Sequence, residues 1–563
     1  MPRSRPMYVP DPAPPDARAL ARRLGTTVTM ADVLLAQGLG GDEAAARRFL
    51  NPRLSDLTPP SAMADRQLAA DRIVRALRRE ERVVVYGDYD CDGMTSTAIL
   101  TEGLRALGGR VDPVLASRFD GGYGLSPAGL ARALAARPGL IVTCDCGSAD
   151  HERVEAAKAA GVDVVVIDHH LVPKEPLPAL AFLNPHRPEC GFPYKGLASC
   201  GLALSVLAAV RAELKAALDL RTYLDLVAVG TIADVAPLDG DNRALVRAGL
   251  GVIATGARPG LRALAEYARL ELGAPPHAED VSFRLAPRLN APGRLGSPDD
   301  ALAVLLARDL VAARAAAAVC EQANLRRKDL QDRMIAEAVA EVEREGYAER
   351  PAMVLASESW HLGVVGIVAG RLASTYGRPV VVAAVHEGVA HGSVRSAGGV
   401  PVVTALGRCR DALLGLGGHE KAAGVRFEPA RLGEVREAFC AAVAALEAGA
   451  EADAGPKAVR LDPSDEPAAV LRDFHLLEPC GEKNRAPSVC AVGARVVSAR
   501  EVRGGHLSLD LEHEGRRMRG FGAQLGTKAG ALGRRVNVWG ALRRDGFRGG
   551  DAVEIRIDEV APA

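Results

Sequence analysis

Three observations predict an α/β protein of several domains. Short, almost uninterrupted apolar runs alternate with helical spacings through the first half of the chain. The same alternation resumes after a long stretch without proline or glycine, and short alternating runs between Gly-rich turns close the sequence. Parallel strands covered by helices on both faces read as such apolar runs. At one domain per roughly 100–200 residues, 563 residues allow about three to five domains.

Residues 1–60 are polar and Pro-punctuated, and read as a small helical leader packed on the next domain in the chain. Over 61–300, ERVVVYGDYD, GLIVTCDCG and VDVVVIDHH are strands that break into loops, and TSTAILTEGLRAL and HERVEAAKAAG are helices between them. The 145–168 stretch is a strand–helix–strand unit with an expected right-handed crossover. Just before 301–348, the expected connector helices, Ser297-Pro298-Asp299-Asp300 resembles a helix start, with acids at the positive end of the dipole. One helix through to Gly346 would be unusually long, so at least one break is expected, and EQANLRRKDLQDRMIAEAVAEVEREG is the candidate connector helix. Over 349–455, PAMVLAS and RPVVVAAVHEG start a second α/β domain, and EAGAEADAG reads as a linker. Over 456–563, ARVVSAREV, HLSLDLEH, RRMRGFGA, RVNVWGAL and DAVEIRIDEV suggest a small OB-type β-barrel.

Composition narrows the function. Lys+Arg and Asp+Glu are both 70, so any polyanion must be recruited by a local groove and not by bulk charge. The ten cysteines form no C-x-x-C pair, which argues against a zinc ribbon or a disulfide scaffold and for reduced thiols in a cytoplasm. The N-terminus has no apolar core of the kind a signal peptide needs. No run of about 18 apolar residues is available to cross a membrane.

The loop Asp88-Tyr89-Asp90-Cys91-Asp92-Gly93 sets three carboxylates at alternate positions, which a cation would hold together. An EF-hand reading fails, because its twelfth position is Ile99 where a bidentate Glu is required. A solvated acidic turn is the plainer alternative for this loop alone. Asp145, however, ends the second strand, Asp168-His169-His170 ends the third, and Asp234 sits where the apolar GTIAD segment meets a loop. Carboxyl ends of parallel strands share one edge of the sheet, where ligands bind. Each residue also has a bland reading as a cap or a surface group, but one shared cause covers them all. Carboxylates with one imidazole suit Mn²⁺ or Mg²⁺. Their number suffices for two ions bridged by one carboxylate, an arrangement that serves in-line displacement at phosphorus. The two thiols of Cys144-Asp145-Cys146 read as small core residues.

YGDYDCDGMTST (86–97), SRFDGGYGLS (117–126), VTCDCG (142–147), VIDHH (166–170), GTIADVAPL (230–238), PRLNAPGRLG (287–296), GSVRS (392–396) and GLGGHEKAAG (415–424) follow one another in order. This set resembles the DHH phosphoesterase superfamily, most closely its bacterial exonucleases specific for single-stranded DNA. The resemblance implies a DHH domain, a long connector helix, a DHHA1 domain and an OB-fold. It also implies 5′-to-3′ hydrolysis of single-stranded DNA to 5′-mononucleotides with two Mn²⁺ or Mg²⁺ ions, in repair and recombination.

By motif position, the resemblance implies that Asp92, Asp145, His169 and Asp234 hold one ion, and that Asp88, Asp90 and the shared Asp145 hold the other. It also implies that His170 faces the scissile phosphate and that Asp168 orients its neighbours. Arg288, Asn290 and Arg294, read as lying in a loop, contact the DNA backbone, with a structural salt bridge to the acids as the alternative. His419 follows the DHHA1 signature. Arg118, Ser393 and Arg395 resemble a pocket for the terminal 5′-phosphate. Implied partners are single-stranded DNA, a RecQ-type helicase and a single-strand-binding protein, for a monomer without membrane contact.

Tyr89, Phe119 and Tyr123 are stacking candidates near the cleft, with core packing as the alternative. On the barrel, Arg500, Arg503, Arg516, Arg517, Arg519, Arg534, Arg535, Arg543, Arg544 and Arg548 lie among Phe521, Trp539 and Phe547. They read as a single-strand platform, or else as a solvated face over an aromatic core. Two other functions compete: a phosphodiesterase for short oligoribonucleotides or cyclic dinucleotides, and a silent scaffold. The extended C-terminal region argues against the first, and the intact motif acids argue against the second.

Overall fold

The computed structural model describes residues 8–396, 399–447, 458–546, 548–549 and 552–563. Five strands form the first sheet: β1 (Arg82–Gly87), β2 (Arg110–Leu115), β3 (Leu140–Cys144), β4 (Asp163–Ile167) and β5 (Ala181–Leu183). Their order is β2-β1-β3-β4-β5, and every pair is parallel. Alternate residues face opposite layers. Val83, Val85 and Val142 pack with helices Cys91–Ala106 and Ser199–Leu214. Val84, Tyr86 and Ile141 pack with helices Pro127–Ala135 and His151–Ala159. Burial on both faces explains the continuous apolar runs. Strand order reverses between β1 and β3, so the crevice beyond their carboxyl ends is the natural ligand site of such a sheet.

Two local expectations need correcting. The GTIAD segment closes a helix, Leu224–Ala233, and does not close a strand. That helix is enclosed on all sides, so it is apolar all round and carries no readable period. Arg288, Asn290 and Arg294 lie on a helix, Ala286–Leu295, and not in a loop. Pro287 fits its first turn, and Pro292 is carried inside it.

The expected break falls between helix Asp299–Leu306 and the connector Leu310–Arg344. Asp309 restarts the helix by accepting the Ala312 N–H at 2.9 Å. Its 35 residues span roughly 50 Å at 1.5 Å each.

The second α/β domain has β6 (Met353–Ser357), β7 (Val380–His386), β8 (Val389–Arg395), β9 (Gly415–His419) and β10 (Ala422–Phe427), ordered β6-β7-β8-β10-β9. The last sheet has β11 (Val459–Arg460), β12 (Val489–Val502), β13 (His506–His513), β14 (Arg516–Gly522), β15 (Arg535–Arg544) and β16 (Val553–Pro562). Pairing of β12 with β15 closes it into an OB-type barrel.

The leader packs on the next domain, with Leu54 and Leu57 against its core and Thr58 N–H on Asp241 at 3.0 Å, but it packs on the barrel as well. Leu20, Met30 and Leu34 share a core with Val489, Leu509 and Val538 of the barrel. Arg18 pairs with Asp462 at 2.8 Å, and Asp465 accepts the Thr29 hydroxyl at 2.7 Å. Leader and barrel form one folded unit from the two ends of the chain. Short amphipathic helices state that they need a partner but not which one.

A candidate metal centre between two domains

β1 delivers Asp88, whose N–H donates to Cys144 O of β3 at 3.1 Å. Asp90 then caps helix Cys91–Ala106, accepting the N–H groups of Asp92 and Gly93 at 2.9 and 3.1 Å. Gly93 is required here: a Cβ would lie 2.5 Å from Asp88 O. Asp92, fully buried, accepts the N–H groups of Ser199 and Cys200 at 2.7 and 2.9 Å, so it also sits at the positive end of a second helix. Asp145 follows β3 with a left-handed backbone, φ 63°. Such strain in a non-glycine residue recurs at functional sites. The Ser199 hydroxyl donates to it at 3.0 Å.

His169 draws these acids together. Its Nε2 lies 3.2 Å from Asp145, 3.7 Å from Asp234 and 3.8 Å from Asp92. That nitrogen and Asp88 Oδ1 are both buried without a hydrogen-bond partner. Ligand atoms of Asp92, His169 and Asp234 gather within 4.8 Å of one another, and so do those of Asp88, Asp90 and Asp145. Burial, then the neighbouring carboxylates, pushes Asp88, Asp145 and Asp234 well above the usual carboxylate range. Burial pushes His169 down. Carboxylates crowded around one imidazole, with ligand atoms this close together, form a donor set for a hard divalent cation.

Asp168 lies behind the cluster. Its Oδ1 accepts the N–H groups of His169 and His170 at 2.8 and 3.2 Å, and its Oδ2 accepts Ser148 N–H at 3.0 Å. Burial alone would raise its pKa, but the His170 bond and these donors bring it down to about 2. Asn184, fully buried, donates to His170 O at 2.8 Å. Ser148, Asn184 and Ser199 went unrecognised in the sequence because no local pattern distinguishes them from core polar residues.

A basic group lies across the cleft. The Arg118 guanidinium covers the Tyr89 ring at 4.4 Å. Arg395 of the second domain donates to Ser393 Oγ at 2.8 Å. Burial, and then Arg118, lowers the pKa of Arg395 and that of Arg294, the latter to about 10. These guanidiniums from two domains therefore converge. Tyr123 lies 5.0 Å from the His170 ring, half exposed, and Phe119 meets His361 edge-on at 6.2 Å.

Other candidates fall elsewhere. Arg288 is buried and pairs with Glu321 of the connector helix at 2.6 Å, so the structural alternative describes it. Asn290 is half-buried on the same helix, and His419 is exposed on β9. Among the described residues no hydrogen bond joins either to the cluster. Trp539 is core, donating its indole N–H to Tyr8 O at 3.1 Å. Phe521 is half-buried beside His506, and Phe547 lies outside the described residues. Arg516, Arg543 and Arg548 pair with Glu466, Glu554 and Asp510. Arg500, Arg503, Arg517, Arg534, Arg535 and Arg544 are exposed. Cys91 is buried, its thiol directed at Ala286 O.

Three family models match the chain: the DHH family N-terminal domain over 82–231, the DHHA1 domain over 349–445 and the RecJ OB domain over 459–559. The single-stranded-DNA-specific exonuclease RecJ of Salmonella typhimurium is 35% identical over 547 residues, 92% of this chain and 93% of that one. The Bacillus subtilis protein of the same name is 36% identical over 74% of this chain, and the match spans about half of that longer relative, 52%. The crystal structure of Thermus thermophilus RecJ with Mn²⁺ superposes with a TM-score of 0.81 at 33% identity, covering 98% of this chain and 78% of that one.

Proposed function

This chain belongs to the RecJ family of DHH phosphoesterases, and from that premise we propose that it is a metal-dependent exonuclease for single-stranded DNA. It hydrolyses phosphodiester bonds from the 5′ end and releases 5′-mononucleotides in repair and recombination. The observation that carries the reading is the pair of donor clusters meeting at Asp145.

Asp92, His169 and Asp234 would hold one Mn²⁺ or Mg²⁺, Asp88 and Asp90 would hold a second, and Asp145 lies within reach of both groups. When bound, the ions activate water and stabilise charge developing on the phosphoryl oxygens. The chain's own residues do the rest. Asp168 accepts from Nδ1 of His170 at 2.8 Å, which fixes the tautomer and leaves Nε2 for the scissile phosphate. Arg118, Ser393 and Arg395 take the terminal 5′-phosphate, for which a planar guanidinium fork is suited. Arg294 and Asn290 contact the backbone, and His419 approaches it from the second domain. Tyr123 offers a face to a base. A cleft between domains admits one strand, and binding weakens with salt as counterions are released.

The enzyme acts as a cytoplasmic monomer on strands supplied by a RecQ-type helicase and a single-strand-binding protein. Among the described residues no helix is long and apolar enough to cross a membrane. The test uses Mn²⁺, 5′-phosphorylated single- and double-stranded oligonucleotides labelled at either end, and Asp145→Ala as control. Immediate release of a labelled mononucleotide from the 5′ end of single strands only, absent in the control, supports the reading. Turnover of dinucleotides in place of DNA would replace it.

A further inference from the structure

Asp234 reaches the cluster from the C-terminal end of a helix, whereas Asp88, Asp145 and His169 follow strands and Asp92 lies in the first turn of a helix. Helix Leu224–Ala233 closes with Asp234 N–H on Gly230 O at 2.9 Å and Ala236 N–H on Thr231 O at 3.2 Å. Val235 between them has φ 60°. This is the left-handed C-cap position that glycine ordinarily fills. A β-branched side chain is a genuine outlier there, and Val235 gains no burial in return, being 61% exposed. Strain of this kind persists only where the surroundings over-determine it.

Those surroundings lie in the segment leading into the barrel. Three residues beyond Val235, Leu238 N–H donates to Glu482 O at 2.8 Å. The Leu238 side chain is buried where Gly481 leaves room: a Cβ on Gly481 would lie 2.7 Å from Leu238 Cδ1. Asn242 secures the strap between, donating to Pro237 O at 2.9 Å. Arg243, also buried, donates to Leu476 O and Leu477 O at 2.9 and 2.8 Å, and to Phe49 O of the leader at 2.8 Å. A guanidinium held by carbonyls is a rigid peg between the catalytic domain and the leader–barrel unit.

We propose that docking of residues 476–484 against Leu238 and Arg243 holds Val235 in its strained conformation and thereby positions Asp234 in the metal centre. Val235, Leu238 and Arg243 are positioning residues, and the barrel supports the metal site mechanically. This rests on the metal-site reading above, since Asp234 needs a placement only if it is a ligand.

The test is Mn²⁺ binding to the full chain by titration calorimetry, with circular dichroism to monitor the fold. Gly481→Val wedges the anchor apart without touching the cluster, and should weaken Mn²⁺ binding about tenfold, the low end for losing support behind a ligand. Val235→Gly adopts the left-handed conformation unaided, so adding it to Gly481→Val should restore most of that affinity. A merely structural anchor would not be rescued by a glycine at residue 235. Should Gly481→Val lose the fold, Leu238→Ala replaces it with the same expectation. Unchanged Mn²⁺ affinity in the wedge variant, or no rescue, overturns the proposal while leaving the metal site standing. Failure of the wild-type protein to bind Mn²⁺ overturns both.

Discussion

Asp168 and His170 form a fixed pair behind the cluster: Oδ1 of the acid lies 2.8 Å from Nδ1 of the imidazole. The same oxygen accepts the backbone N–H groups of His169 and His170, so one carboxylate sets the loop and the ring together. Asp168→Asn keeps the shape but turns an obligate acceptor into a group that also donates. Activity should fall about 10- to 100-fold with the fold retained. Steady-state kinetics at saturating Mn²⁺, beside a thermal melt, checks this: an unchanged kcat would leave Asp168 with no role in orienting His170.

Arg288 and Arg294 sit on one helix yet should fail differently. Arg288 is buried against Glu321 of the connector, so Arg288→Ala strands an acid and should cost about 3 kcal/mol of stability. Arg294 is held among other cations and should cost binding instead. Denaturant unfolding and KM for a 5′-phosphorylated oligonucleotide separate the two. Loss of stability in Arg294→Ala with normal KM would reverse the assignment.

These cases show what the sequence discloses and why. Acids at the ends of β1 and β3, and the histidines after β4, were legible because apolar strands announce their own ends. Asp234 was legible as a member of the acidic cluster but not as a helix end, since an apolar run enclosed on every side has no period. Arg288 and Arg294 are the same residue type six positions apart, and only packing against the connector decides which one is structural. The leader's attachment to the barrel rests on Asp462, Asp465 and Asp473 accepting from residues more than 400 positions away. No local pattern carries that.

His277 of the catalytic domain meets Glu478 beside the barrel anchor, Nδ1 to Oε1 at 2.8 Å. The bond raises the pKa of His277; burial would raise that of Glu478, but the same bond brings it down. The histidine's contribution is complete below its ordinary 6.5 and is lost as pH rises through its raised value. The glutamate's is complete above its ordinary 4.5 and is lost as pH falls through its lowered value. The contact therefore supports the fold between those limits. With half of the His277 side chain exposed, it is worth less than about 1 kcal/mol. His277→Ala should destabilise at pH 5.5 and have little effect at pH 9, read from denaturant midpoints.

The metal centre should be a liability to the empty protein. Asp88, Asp145 and Asp234 are raised by burial and by one another, so the folded metal-free chain binds protons that the unfolded chain releases. Its stability accordingly falls as pH rises above the ordinary carboxylate range. Asp145→Asn removes one charge from the middle of the cluster and can still accept the Ser199 hydroxyl. In EDTA at pH 7.5, this variant should melt about 2–4 °C above wild type, as expected for roughly 1 kcal/mol in a domain of this size. Saturating Mn²⁺ should reverse the order, because a ligand that binds only the folded state stabilises it by mass action. Wild type should then gain and the variant should not. Equal gains from Mn²⁺ in both proteins would mean that Asp145 is not the carboxylate that the two ions share.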